Sequence, residues 1–212
     1  MSAPRGRLIA LEGIDGCGKS TQARILAGRL GAVSTFEPGA TPLGAALRAL
    51  ALDPGEVPVS ARAEALLMAA DRAQHVVQVI APALDAGRWV VTDRYAASTL
   101  AYQGYGRGLD RDELDSLVDW AAAGLRPDLS VLLDLPVAAA AARRHGGTAD
   151  RMESEADEFH LRVADGFREL AADSAAPWLV VDATGTVDSV AAAIWGAVEA
   201  LAGPDGPPGG PR

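Results

Sequence analysis

Short, largely apolar runs punctuate this chain, and each is followed by a longer amphipathic stretch. Residues 8–11, 32–36, 89–92, 130–135 and 178–181 have the length and composition of buried strands. The stretches between them carry helical spacing, as at Leu66, Ala70, Ala73, Val77, Ile80 and Leu84. This alternation predicts an α/β fold in three layers: a five-stranded parallel sheet with helices on both faces. No repeat and no Gly/Pro/Ser-rich linker interrupts it, so residues 1–202 are expected to form a single domain. Residues 203–212 offer nothing apolar to bury beyond proline and are expected to be a disordered tail.

Composition narrows the class. With 212 residues the chain can bury a sizeable core. Although 49% of the residues are hydrophobic, no apolar run approaches the roughly 20 residues of a membrane span. The opening segment leads into one strand-length run, too short for a secretory signal, so a cytoplasmic location is expected. A formal net charge of -9 argues against nucleic acid as the main partner. Any arginines that handle phosphate must therefore be concentrated locally. The single cysteine, Cys17, excludes an internal disulfide and a cysteine-cluster zinc site, and reads as a small filler in a loop.

Directly after the first predicted strand, Gly13-Ile14-Asp15-Gly16-Cys17-Gly18-Lys19-Ser20 fits the phosphate-loop pattern G-x-x-x-x-G-K-[ST], and Thr21 continues into a helical run. Glycines let backbone N–H groups converge on phosphate oxygens, and the following helix N-terminus adds partial positive charge. Lys19 is placed to reach the terminal phosphates and the Ser20 hydroxyl to hold Mg²⁺. The segment predicts a nucleoside triphosphate site.

A second half of the site is expected where the third strand ends, at Asp93-Arg94. Open α/β sheets bind ligands at this carboxyl edge. Asp93 suits the orientation of a metal-bound water or of Lys19, and Arg94 offers a fork for a phosphate monoester. If the next segment is helical, Ser98 and Tyr102 share one stripe and Thr99 and Gln103 another, forming a wall that reads a sugar and base. Met68 and Arg72 stand four apart on a long helix. Residues 143–151 carry several arginines broken by glycines, the composition of a phosphate-clamping lid.

These segments together resemble the bacterial thymidylate kinases of the P-loop nucleoside monophosphate kinase family. The carrying motifs are the phosphate loop with Glu12 before it, Glu37-Pro-Gly-Ala-Thr41, Ala70-Asp-Arg-Ala-Gln74, Asp93-Arg-Tyr95 and Ser98-Thr-Leu-Ala-Tyr-Gln-Gly104. The resemblance implies Mg²⁺-dependent transfer of the ATP γ-phosphoryl group to dTMP, within a P-loop kinase fold with a short lid at about residues 143–155. It implies a homodimer, no nucleic-acid or membrane partner, and an ATP site of residues 13–21 with Arg143. It further implies acceptor contacts from Glu37, Arg48, Met68, Arg72, Arg94, Ser98, Thr99, Tyr102 and Gln103, and metal contacts from Ser20 and Asp93. Lys19, Arg94, Asp15, Arg144 and Arg151 would carry the catalysis.

Three departures from the family pattern accompany it. Met68 stands where many members have a stacking Phe. Phe36 stands where many have Arg, and is expected in the core. Gly16-Cys17 replaces the loop arginine of eukaryotic members. His75, His145 and His160 show no pattern tying them to this chemistry. The alternatives are another nucleoside or nucleoside monophosphate kinase, or a GTP switch; the absence of an Asn-Lys-x-Asp motif counts against the switch.

Overall fold

The computed structural model describes residues 5–55, 58–143 and 150–202. Five strands, β1 (Leu8–Glu12), β2 (Val33–Phe36), β3 (Val90–Asp93), β4 (Leu129–Asp134) and β5 (Trp178–Asp182), form one sheet in the order β2-β3-β1-β4-β5. Every pairing is parallel, with Leu11 opposite Asp93 on one side and Val131 on the other. The predicted strands fall within a residue or two of these limits.

Parallel strands need covering on both faces, and the core divides accordingly. Ile9, Leu11, Val91, Val131 and Val181 pack with α1 (Lys19–Leu30), α8 (Asp157–Asp173) and α9 (Val187–Ala202). Leu8, Ala10 and Val90 pack on the other face against Val76, Ile80 and Leu84. All five residues of β1 are buried, which fixes the strand that feeds the phosphate loop.

A long helix follows Ser60, whose hydroxyl accepts from the Ala63 amide as an N-cap. It runs as α3 (Ala61–His75), a π-helical turn (Val76–Ile80) and α4 (Ala81–Asp85). The sequence stripe on this helix is only half core. Ile80 and Leu84 are buried, whereas Leu66 and Val77 are 59% and 68% exposed. Shared spacing places residues on one side of a helix but does not say what covers that side.

The helix after β3 begins as α5 (Ala96–Thr99) and widens into a second π-helical turn (Leu100–Gly106). The remaining elements are α2 (Pro42–Leu52), α6 (Arg111–Ala121) and α7 (Val137–Arg143). No helix among the described residues is long and apolar enough to cross a membrane. The expected tail at 203–212 lies outside the described residues.

Candidate active site

Between β1 and α1 the chain needs left-handed backbone, with φ of 136° at Gly13, 87° at Gly16 and 99° at Gly18. Gly13 also has no room, since a Cβ there would lie 2.8 Å from the Leu133 carbonyl oxygen and 2.9 Å from Cys17 Sγ. Cys17 is thus a buried packing residue of the loop, as its size predicted. Lys19 folds back over the loop, its Nζ donating to the Ile14 carbonyl at 2.9 Å. Ser20 Oγ donates to Asp93 Oδ2 at 2.5 Å, while Asp93 Oδ1 is buried with no partner among the described residues.

At the end of β3, Arg94 adopts φ 72°, a strained value for a side chain with a Cβ. Four acceptors hold its guanidinium. Nη1 donates to the Gly13 carbonyl (3.1 Å) and Ser98 Oγ (3.0 Å), and Nη2 donates to Asp15 Oδ1 (2.5 Å) and the Tyr102 hydroxyl (3.1 Å). The Tyr102 hydroxyl donates onward to Asp15 Oδ2 at 2.7 Å. The Ser98 hydroxyl donates to the buried Glu12 at 2.6 Å, and Glu12 also accepts from the Tyr95 amide.

Burial pushes Asp15 upward, but the Arg94 and Lys19 charges outweigh it and hold the carboxyl well below the usual carboxylate range. Burial likewise opposes the Arg94 charge, and Asp15 overcomes it, so the guanidinium stays protonated. Glu12 moves the other way, its carboxyl raised by burial. Ser98 and Tyr102 meet at one guanidinium, as the predicted stripe required.

Arg72, Thr99, Gln103 and Met68 line a cleft next to Arg94. Arg72 is buried, and three of its N–H groups are taken by Glu37 Oε2 (2.9 Å), Thr99 Oγ1 (3.1 Å) and the Tyr95 carbonyl (2.9 Å). Glu37 therefore touches the cleft chiefly by fixing Arg72. Arg48 donates to the Pro38 carbonyl at 2.9 Å and lines both this cleft and the one beside the phosphate loop. Asp15, Glu37 and Arg94 also line both, so the two spaces meet at Arg94.

Several expectations need correcting. Phe36 is 46% exposed and borders the phosphate-loop cleft, because the edge strand β2 turns it away from the core. His75 is not incidental: it is fully buried, with Nδ1 2.9 Å from Glu37 Oε1 and Nε2 2.6 Å from Thr35 Oγ1. Arg151 does not face the phosphate loop. It donates twice to the Ala51 carbonyl and pairs with Glu64 at 2.7 Å, drawn there by a buried carboxylate. Arg143 donates to the Ala183 carbonyl at 3.0 Å, beside the loop that opens α9. Residues 144–149 of the expected lid, Arg144 and His145 among them, lie outside the described residues. Asp150 and Met152 from its far end border the cleft lined by Arg72 and Met68.

Sequence reasoning missed Glu64 and Asp71 as well as His75. Glu64 stands on one helical stripe with Met68 and Arg72, and His75 falls three residues after Arg72, so the spacing held a signal for both. Asp71 fixes the turn over the cleft by accepting from the Gly39 amide at 2.9 Å. It also requires glycine at position 44, where a Cβ would lie 2.2 Å from Asp71 Oδ1.

Residues 11–194 match the family model described as thymidylate kinase. A thymidylate kinase of Synechococcus sp. (strain CC9902) is 51% identical over 197 residues, covering 87% of this chain and 93% of the relative. One from Carboxydothermus hydrogenoformans is 47% identical over 205 residues, covering 94% of this chain and all of the relative. The crystal structure of the Ehrlichia chaffeensis thymidylate kinase superposes with a TM-score of 0.70 at 32% identity, covering 84% of this chain and 93% of that one. A phosphate loop that meets a second cleft at Arg94 is thus carried on a sequence whose relatives match it over most of its length, and the chain belongs to the thymidylate kinase family.

Proposed function

We propose that the chain transfers the γ-phosphoryl group of ATP to dTMP, giving ADP and dTDP. The observation that carries this reading is the position of Arg94, fixed by four acceptors where the phosphate-loop cleft meets the acceptor cleft. In it, the backbone N–H groups of residues 13–18 with Lys19, Ser20 and Thr21 hold the donor phosphates, and Arg143 lies toward the donor nucleotide. Arg94, with Arg48, takes the acceptor phosphate. Arg72, Thr99, Gln103 and Met68 hold the base. Tyr102 stands over the sugar with Asp15, its ring crowding a 2′ substituent.

The residues present fit a bound Mg²⁺. The Ser20 hydroxyl and Asp93, with one carboxylate oxygen unpartnered, make the sparse protein shell expected of an ion bound mostly by water and substrate phosphates. Ser20 would ligate it directly and Asp93 would hold its waters; the ion supplies neutralisation of phosphate charge. The chain's own part is alignment. A phosphate monoester is already a nucleophile, so no strong base is required, and Lys19 and Arg94 bring two like-charged phosphates together. With Arg151 committed to Glu64, it serves as an anchor for the end of the lid rather than as a contact to the migrating phosphoryl group.

A homodimer and a cytoplasmic location complete the proposal. Leu66, Ala70 and Val77 leave an exposed apolar stripe on the long helix, and such stripes mark interfaces. Sedimentation is expected to give twice the 21.8 kDa chain mass, and a Val77→Glu chain the monomer mass; a wild-type monomer at micromolar concentration removes the interface.

The activity is tested by ADP release from MgATP with a panel of monophosphates. The methyl group of thymine is worth about 0.8 kcal/mol, so dUMP should fall short of dTMP by about fourfold in kcat/KM. For dCMP the loss should exceed about a hundredfold, because its base edge mispairs with buried polar groups. Equal values for the three acceptors would overturn the assignment of the cleft.

A further inference from the structure

Glu64 lies on α3 behind the acceptor cleft with its side chain wholly buried. Its Oε1 accepts from Gln103 Nε2 at 2.7 Å and from Arg107 Nε at 3.3 Å. Its Oε2 lies 2.7 Å from Arg151 Nη2 and 3.2 Å from Arg107 Nη2. The donated hydrogen bonds fall on Oε1, while Oε2 meets the two guanidinium groups as ion-pair contacts and has no hydrogen bond among the described residues. A carboxylate can only accept, and an amide has one donating and one accepting end. The contact therefore allows a single orientation of Gln103, with nitrogen toward Glu64. No donor among the described residues reaches the Gln103 side-chain oxygen, and Gln103 lines the cleft with Arg72.

We infer that Glu64 is a specificity-determining positioning residue, which sets the hydrogen-bonding polarity of the base-reading edge through Gln103. The inference rests on the reading of this cleft as the dTMP base site. With the amide nitrogen occupied, the edge presents an acceptor from Gln103 beside a donor from Arg72. That pair matches the N3–H donor and C4 carbonyl acceptor shared by thymine and uracil. It opposes cytosine, whose N3 accepts and whose exocyclic amine donates. Glu64 touches no substrate. Its effect passes through the orientation of one side chain.

Replacing Glu64 by Gln reverses this logic. Arg107 and Arg151 hold the new amide oxygen on their side, which turns its NH₂ toward Gln103. Gln103 must then offer its oxygen to that NH₂ and its own NH₂ to the cleft. The Glu64→Gln protein is expected to lose at least about tenfold in the ratio of kcat/KM for dTMP over dCMP, with KM for ATP unchanged. Glu64→Asp keeps both arginine partners but draws the carboxylate back from Gln103. It should shift the ratio in the same direction by about threefold, and it covers the case in which the first variant does not fold.

A purely structural role would slow both acceptors together and leave the ratio alone; that result in either folded variant overturns the inference. Gln103→Leu separates this failure from failure of the site reading. If Gln103→Leu raises KM for dTMP while the Glu64 variants keep the wild-type ratio, only the role of Glu64 falls. If Gln103→Leu leaves dTMP kinetics unchanged, the base site itself is misplaced.

Discussion

Replacing Arg94 by Ala is expected to lower kcat/KM for dTMP by about two to four orders of magnitude, while KM for ATP moves by less than about threefold. Hydrogen bonds from a charged donor contribute about 1.5–3 kcal/mol each, and a forked guanidinium gives a phosphate two of them. At about 1.4 kcal/mol per factor of ten, the lost pair accounts for that range. The substitution also strands Asp15. Its carboxylate accepts from Arg94 and Tyr102 in a site only 27% exposed, and removing the guanidinium leaves a partly buried charge without its main partner. A lower Tm should therefore accompany the kinetic loss, and a second variant is needed to separate the two.

Arg94→Lys serves that purpose. It keeps a cation beside Asp15 but lacks the planar fork. Its melting temperature should stay near that of the parent, while kcat/KM for dTMP still falls by about ten- to a hundredfold. The backbone gives a further control. Because residue 94 sits at φ 72°, Arg94→Gly relaxes local strain and should be more stable than Arg94→Ala, yet equally poor with dTMP. Normal dTMP kinetics in all three variants would remove Arg94 from the acceptor site.

The parts of this protein legible in its sequence are those where one local rule acts alone. Strands buried on both faces need continuous apolar runs, so β1, β3 and β4 announce themselves within a residue or two of their limits. The phosphate loop is legible because backbone conformation dictates its glycines, and the left-handed φ values at Gly13, Gly16 and Gly18 are the reason. The Ser98–Tyr102 stripe also carried over, because spacing by four residues survives the start of the π-helical turn. What spacing could not give was the identity of the covering layer. Leu66 and Val77 share a stripe with Ile80 and Leu84 but are left exposed, whereas the second pair packs with Leu8, Ala10 and Val90 on one face of the sheet.

The misplaced side chains have other causes. Phe36 follows from its place on the edge strand β2, which turns it outward, whereas the positions of His75 and Arg151 follow from long-range partners. His75 is drawn to Glu37 and Thr35, both about forty residues earlier in the chain. Arg151 is drawn to Glu64 across nearly ninety. A buried carboxylate recruits whatever donors the fold brings near, and a single sequence does not show which ones arrive. The layer that orients Arg72 and Gln103 thus emerges only in three dimensions, although Glu64, Met68, Arg72 and His75 lie in order along one helix.

Linking the two substrates gives the other large effect. Adenosine and thymidine joined 5′ to 5′ through five phosphates should span both clefts, which Asp15, Glu37, Arg48 and Arg94 line in common. Once the adenosine end is bound, the thymidine end meets its site at an effective concentration in the millimolar range, well above the micromolar level at which a typical substrate half-saturates. The linked molecule should bind about a hundredfold or more tighter than dTMP, without any contact that the two substrates do not make separately.

Inhibition kinetics with this compound test the central claim, that phosphate loop and acceptor cleft face one another across Arg94, more directly than any single variant. The account predicts competition against ATP and against dTMP alike, with the gain in affinity from the thymidine end lost in Arg94→Ala while competition against ATP remains. Inhibition that dTMP cannot relieve, or simultaneous binding of dTMP and the linked compound, would show that the two clefts do not form one reaction site.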